Sequence, residues 1–375
     1  MRAIIDCVLS VPDPRTGNHK KHNLGEMLFA ALVSVMCGYD SYVAFARFAE
    51  LNLEWLRGLG CAFANGVPSH DTFSRAFSLV DHRIFSACLR NVARIVRGKL
   101  AKGNVAIDGK ALKRCRNRGD KVPFIVNAWA DEGGIVLGEV KTAEKSNEIT
   151  AIPEILDVLD LEGCIVSVDA AGCQKKIMRK IVVDCKADAV LALKDNQRTL
   201  HDEMLLLFEK ELTASPHLFA KHEEPPEKNS GRVEKRTCWQ TDCVRWFEDI
   251  DKWEGLRSVI MVEAERTARN AETGEWETST ERRLYISSLK VDPKLACEVV
   301  RRHWGVESMH WTLDVTFGED YCRARTKHAA ANRATVRRMA LSLESTWARR
   351  HKCGIKEAKM FAALSKEARL EMLTA

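Results

Sequence analysis

At 375 residues, 46% hydrophobic and 29% charged, the chain has room for two or three folded units with sizeable cores. No apolar run reaches the roughly 20 residues that span a bilayer. The opening MRAIIDCVLSVPDPR is interrupted by Asp6, Pro12 and Pro14, so it does not read as a secretion signal, and the expected location is the cytoplasm. Net charge is +6 but uneven: residues 321–375 carry +9, residues 1–100 carry +4 and the middle carries −7. Basic ends around an acidic centre suit an enzyme that grips a polyanion at its flanks and holds cations between them.

In chain order, residues 1–20 read as irregular, with Pro12, Pro14 and Gly17 as breakers. Residues 23–37 read as an apolar helix capped by Asn23, and 40–58 as a second helix carrying Tyr42, Phe45, Phe48 and Trp55. Ser69 caps a third helix with Phe73, Phe77 and Val80 on one face, and 82–99 is a fourth, studded with arginines. Residues 1–100 therefore form a helical domain that either binds DNA in the helix-turn-helix manner or braces the rest. From Asn104 the pattern changes to strands at 105–108, 124–130 and 135–140. A helix at 149–159, a strand at 164–169, a Lys-rich helix at 174–183, a strand at 189–193 and a helix from 197 to about 211 follow. That is the order of an α/β, ribonuclease-H-like mixed sheet with flanking helices. Residues 214–290 interrupt it: a loop through Pro225-Pro226 and Glu227–Gly231, then strands at 232–238, 258–266 and 282–287, read as a β-rich insertion. One helix is expected from Lys294 to about Phe317, and a basic one over 328–352. The expected units are 1–100, a catalytic domain at 101–330 and a basic helical segment at 331–375. Thirteen cysteines without a Cys-x-x-Cys pair predict reduced, mostly buried thiols rather than disulfides or structural zinc.

Two apolar strands end in a lone aspartate, Asp108 after Val105-Ala106-Ile107 and Asp169 after Cys164–Val168. An aspartate there either caps a turn or stands at the sheet's carboxyl edge, where α/β folds build sites. Adjacent parallel strands would set the two carboxylates side by side, and close carboxylates call for a divalent cation. Glu307 supplies a third, on a helix whose one face carries His303, Glu307, His310 or Trp311, and Asp314. Three carboxylates suit Mg²⁺ or Mn²⁺, two ions in all, and phosphoryl transfer on nucleic acid. A zinc site of His303, Glu307 and His310 is the weaker alternative. For Trp304 and Trp311 the simpler account is core packing. Lys110, Lys113, Arg114, Arg116 and Arg118 follow the first aspartate as either phosphate contacts or a solvated loop. Lys175, Lys194, His303, His310, Arg323, Arg325, Arg333 and Arg337 complete the candidates for DNA contact.

The segments IDGK (107–110), EKSNEITAIPEIL (144–156), VDAAGCQ (168–174), LALKDNQ (191–197) and HWGVESMHWTLDVTFGED (303–320) together resemble the H-repeat-associated insertion-sequence transposases of bacteria. Upstream, DPR at 13–15 and NGVPSHDTFSRAFS at 65–78 resemble that family's N-terminal associated region. The resemblance implies a DDE transposase with a ribonuclease-H-like core, Asp108, Asp169 and Glu307 being its three acidic residues. It implies metal-dependent cleavage at the element's terminal inverted repeats, strand transfer into target double-stranded DNA, and a homodimer at synapsis. Related transposases carry an arginine four residues before the glutamate and a lysine seven after it; here those positions hold His303 and Asp314. A ribonuclease-H-like nuclease without strand transfer, and a DNA-binding relic without catalysis, are the competing readings.

Overall fold

The computed structural model describes residues 2–15, 20–98, 103–116, 122–142, 148–229, 231–270 and 272–374. Gly17, Arg118, Ser230 and the leading EKSN of the 144–156 motif lie outside them. The helices α1 (Ala3–Leu9), α2 (Leu24–Met36), α3 (Tyr42–Leu51), α4 (Leu53–Gly58), α5 (His70–Leu79) and α6 (His82–Arg97) come first. Next are β1 (Asn104–Ala111), β2 (Phe124–Ala130), β3 (Ile135–Lys141), α7 (Glu148–Asp157), β4 (Ile165–Val168), α8 (Lys175–Arg179), β5 (Asp188–Leu193) and α9 (Arg198–Ala214). Strands β6 (Ala220–Glu223), β7 (Glu227–Asn229), β8 (Arg232–Thr241), β9 (Ser258–Arg269) and β10 (Trp276–Ser287) precede α10 (Pro293–His303), α11 (Gly305–Val315), α12 (Ala329–His351), α13 (Ile355–Leu364) and α14 (Lys366–Leu373). From β1 to α9 this is the ribonuclease-H-like order predicted from the sequence.

The chain divides into two compact units, residues 1–101, 108–159 and 306–375 in the first, and 102–107 and 160–305 in the second. In the first, capping residues start the helices as expected: Asn23 Oδ1 accepts the Glu26 N–H at 3.1 Å, and Ser69 Oγ the Thr72 N–H at 3.4 Å. Phe45, Phe73 and Phe77 pack ring against ring and are fully buried, each contributing on the order of 1.5–3 kcal/mol of burial energy. Strands β2 and β3 form an antiparallel hairpin covered by α6.

The centre of this unit is α12, which packs on α2, α5, α6, α13, α14 and β3. It is buried on nearly every side, so its polar residues need internal partners. Asn332 donates to the carbonyls of Phe77 and Val80, both at 2.8 Å. Arg333 and Arg337 both bind Asp40, at 2.8 and 2.6 Å, and Arg338 binds Glu139 at 3.0 Å and Glu319 at 2.8 Å. This corrects the expectation for Arg333 and Arg337. They are 9% and 1% exposed and already paired, so they are core cations rather than phosphate contacts. The charge asymmetry of the C-terminal segment is in part an internal one.

In the second unit, the first four residues of β1 run parallel to β4, and β4 runs parallel to β5. Strand β10 then pairs antiparallel with β5, from Leu284↔Leu193 to Ser287↔Val190. The expected insertion thus continues the sheet through β10, β9 and β8. The segment read as a loop at 227–231 contains β7, which pairs with β8. Helix α10 covers this sheet with Ala296, Val299 and Val300, against Ile260 and Val262. All thirteen cysteines are free thiols and nine are buried, as predicted. No helix of the described residues is long and apolar enough to cross a membrane.

Candidate active site

Strand β1 carries the first aspartate because its apolar half, Val105-Ala106-Ile107, is fully buried and the chain surfaces at Asp108. Ile107 pairs with Val168 across the parallel β1–β4 ladder, and each is followed in the chain by an aspartate. Asp108 and Glu307 belong to the first unit, Asp169 and His303 to the second.

In the first unit, Asp108 Oδ1 accepts the Gly109 N–H at 2.8 Å, and its Oδ2 lies 3.5 Å from Nδ1 of His310 on α11. The other ring nitrogen, Nε2, is 3.3 Å from Asn127 Nδ2, and Asn127 Oδ1 accepts from Arg338 Nε at 2.6 Å. The arginine can only donate, so it fixes the amide: oxygen toward Arg338, nitrogen toward the ring. Nε2 is then the acceptor, and the ring proton sits on Nδ1, toward Asp108. Burial, helped by the positive charges of Arg338 and Lys110, holds His310 down to about 3, so the imidazole is neutral near pH 7.

Two residues past Asp108, Lys110 is 6% exposed and donates to Asp314 Oδ1 at 2.6 Å, with Glu319 and Asp320 each 3.9 Å away. Burial pushes the Asp314 carboxyl up while Lys110 pulls it back. The expectation that Lys110 meets phosphate is corrected: it is enclosed by protein carboxylates. Lys113 and Arg114 remain exposed, Lys113 on Asp320 at 2.8 Å and Arg114 over the Tyr321 ring at 5.3 Å. Cys115 donates to the Cys322 carbonyl at 3.1 Å, which holds the loop after β1 against the loop that carries exposed Arg323 and Arg325.

The single helix expected from Lys294 to Phe317 is two, broken at Trp304, with α11 beginning at Gly305. His303 and Glu307 are therefore not on one continuous helical face. Glu307 is exposed in the first turn of α11. The tryptophans do not pack in the core: Trp311 is 60% exposed, and Trp304, 37% exposed, lies under the Arg283 guanidinium at 4.3 Å.

In the second unit, Asp169 caps the short turn Ala170–Gly172, its Oδ1 accepting the Gly172 N–H at 3.2 Å. Asn196 donates to the Ala170 carbonyl at 2.6 Å and Gln197 to that of Cys173 at 3.0 Å, so the loop after β5 holds the turn after β4. His303 Nδ1 lies 3.0 Å from Ser167 Oγ, and burial lowers its pKa although Asp169 raises it. Lys194 is exposed, whereas Lys175 pairs with Asp249 at 3.6 Å. Among the described residues no three His, Cys, Asp or Glu side chains stand together as a metal cage. Sequence reasoning missed Asn127 and Arg338. Asn127 had a signal, a lone amide inside the apolar strand FIVNAWA.

Residues 5–93 match the family described as DDE_Tnp_1-associated, and residues 100–343 match the Transposase DDE domain family. YncI of Escherichia coli O157:H7, described as a presumed transposase, is 35% identical over 92% of this chain and 87% of its own. YhhI of Escherichia coli K12, described as a presumed H repeat-associated transposase, is 32% identical over 92% of this chain and 90% of its own. Among solved structures, the piggyBac transposase synaptic complex with hairpin DNA aligns with a TM-score of 0.44 at 10% identity, over 99% of this chain and 77% of that one.

Proposed function

This chain belongs to the transposase DDE-domain family and is a DNA transposase of the insertion-sequence kind, and on that footing we propose that Asp108, Asp169 and Glu307 act together to cut and rejoin DNA. The observation that carries the residue assignment is the register of β1 on β4: two parallel strands pair at Ile107↔Val168, and both continue into an aspartate. The donor set fits a divalent cation, since three carboxylates, one within β1, one directly after β4 and one on an exposed helical turn, are hard oxygen ligands. These three residues would hold Mg²⁺ or Mn²⁺, two ions in the fullest form, and the metal would supply charge stabilisation at the attacking and leaving oxygens.

The reaction has two displacements. Water attacks the phosphodiester at the element's end, the bond from phosphorus to the 3′ oxygen breaks, and a 3′-hydroxyl and a 5′-phosphate are left. That hydroxyl then attacks a phosphodiester of target DNA, joining element to target and releasing a target 3′-hydroxyl. The carboxylates position the reacting groups, and little covalent chemistry falls to the protein. The substrates are the terminal inverted repeats and target duplex, and a homodimer brings two ends together. Exposed Lys113, Arg114, Lys194, Arg323 and Arg325 contact phosphates, which orient the DNA without reading its sequence.

The test is Mg²⁺-dependent nicking and joining of a labelled duplex carrying the element's own ends, with Asp169→Ala beside the wild type. Both activities are expected in the wild type and neither in the variant. Cutting that survives Asp169→Ala sinks the assignment, and tight end-binding with no cutting by the wild type identifies a DNA-binding relic.

A further inference from the structure

We propose that His310 and the Lys110–Asp314 pair are positioning residues that lock α11 onto β1, so that Glu307 and Asp108 hold one spacing before metal or DNA arrives. The inference rests on the reading of those two carboxylates as acting together, and concerns what holds them.

The geometry is a match of two periodicities. Residues four apart on a helix are displaced by about 6 Å along its axis, and residues two apart on a strand by about 6.6 Å. His310 and Asp314 are four apart on α11, while Asp108 and Lys110 are two apart on β1 and share one face. The contacts pair in order: His310 with Asp108 at 3.5 Å, and Asp314 with Lys110 at 2.6 Å. Helix and strand are thus tied at two points one turn apart, which fixes both rotation and slide. Glu307 sits one turn before His310, on the same rigid segment.

Each tie is itself held. The His310 ring is oriented by Asn127, Asn127 by Arg338, and Arg338 by Glu139 and Glu319, a line of side chains ending in the buried middle of α12. The Lys110 ammonium is enclosed by Asp314, Glu319 and Asp320, so it also captures the turn that follows α11. A buried ion pair is poor value as stability but good at specifying one arrangement. Side chains that orient a ligand-bearing group cost about 10–100-fold in metal affinity or activity when removed.

The test uses the full chain carrying His310→Ala or Asp314→Asn. Three measurements are made: hydrogen–deuterium exchange without metal, end-duplex binding in a chelator, and Mg²⁺-dependent nicking. The expected result is faster exchange over Gly305–Val315 with protection of Ala329–His351 retained, unchanged end-binding, and nicking reduced about 10–100-fold. His310→Asn, which keeps a donor near the Nδ1 position, should recover most of the nicking, and if His310→Ala does not fold, Asp314→Asn alone carries the test. Exchange and nicking like wild type in both variants overturn the lock. Loss of α12 protection and end-binding in step with nicking also overturns it, since the residues would then serve general stability. A wild type that binds ends but does not nick refutes the proposed function instead, and exchange over α11 alone then decides the lock.

Discussion

Arg338→Met should be among the most damaging single substitutions in the first unit. The guanidinium is 0% exposed and serves Glu139 at 3.0 Å, Glu319 at 2.8 Å and Asn127 at 2.6 Å. Methionine fills similar length but leaves two buried carboxylates without their cation and an amide oxygen without its donor. Breaking a buried ion pair from one side costs about 3–5 kcal/mol. The loss carries a pH signature. Burial already pushes Glu139 up to about 7 from its ordinary 4.5, against the pull of Arg338. Because the folded value lies above the unfolded one, Glu139 makes the fold less stable as pH rises between those two values. Without Arg338 the folded value climbs further and the window extends upward, so the damage is greater at pH 8 than at pH 5, where Glu139 is protonated. Urea unfolding at the two pH values, followed by tryptophan fluorescence, measures this. A loss below about 1 kcal/mol at pH 8, the size of an ordinary substitution, or the same loss at both pH values, refutes the reasoning.

Other consequences are as direct. Glu344 is fully buried beside Lys359 at 3.5 Å, and burial pushes its carboxyl up to about 8. Glu344→Gln should therefore gain stability relative to wild type as pH rises from 6 to 9, read from urea midpoints; a constant difference across that range contradicts it. Arg323→Ala with Arg325→Ala should weaken end-binding and flatten its dependence on salt, by about 0.9 in log–log slope for each phosphate left without its cation. An unchanged slope, measured by titrating labelled duplex at several salt concentrations, removes these two from the interface.

What was legible in the sequence follows from how local each signal is. Asn23 and Ser69 announce helix starts because a cap bonds three residues onward, within one turn. Asp108 and Asp169 stand out because a charge directly after an all-apolar stretch is a local contradiction, although β1 itself runs on to Ala111. The burial of Arg333, Arg337 and Arg338 was not legible: charges at helical spacing look like a solvated face, and the partners Asp40, Glu139 and, on a separate turn, Glu319 are far along the chain or on other elements. The break at Trp304 had a cue in Gly305, which an otherwise continuous helical pattern concealed. That β10 pairs with β5 could not be read either, because alternation defines a strand but not its neighbour.

The way the first unit is assembled from residues 1–101, 108–159 and 306–375 sets an order of events during synthesis. The second unit has all its residues once the ribosome passes 305, whereas the first lacks α12, its buried centre, until His351 has been added. At about 5–20 residues per second, the intervening stretch takes on the order of several seconds to emerge. Through that interval Asp108 already sits in the nascent chain, but the helix bearing Glu307 has no α12 network to settle against. A gene copy truncated ahead of α12 therefore yields a chain that cannot complete the unit carrying Asp108 and Glu307.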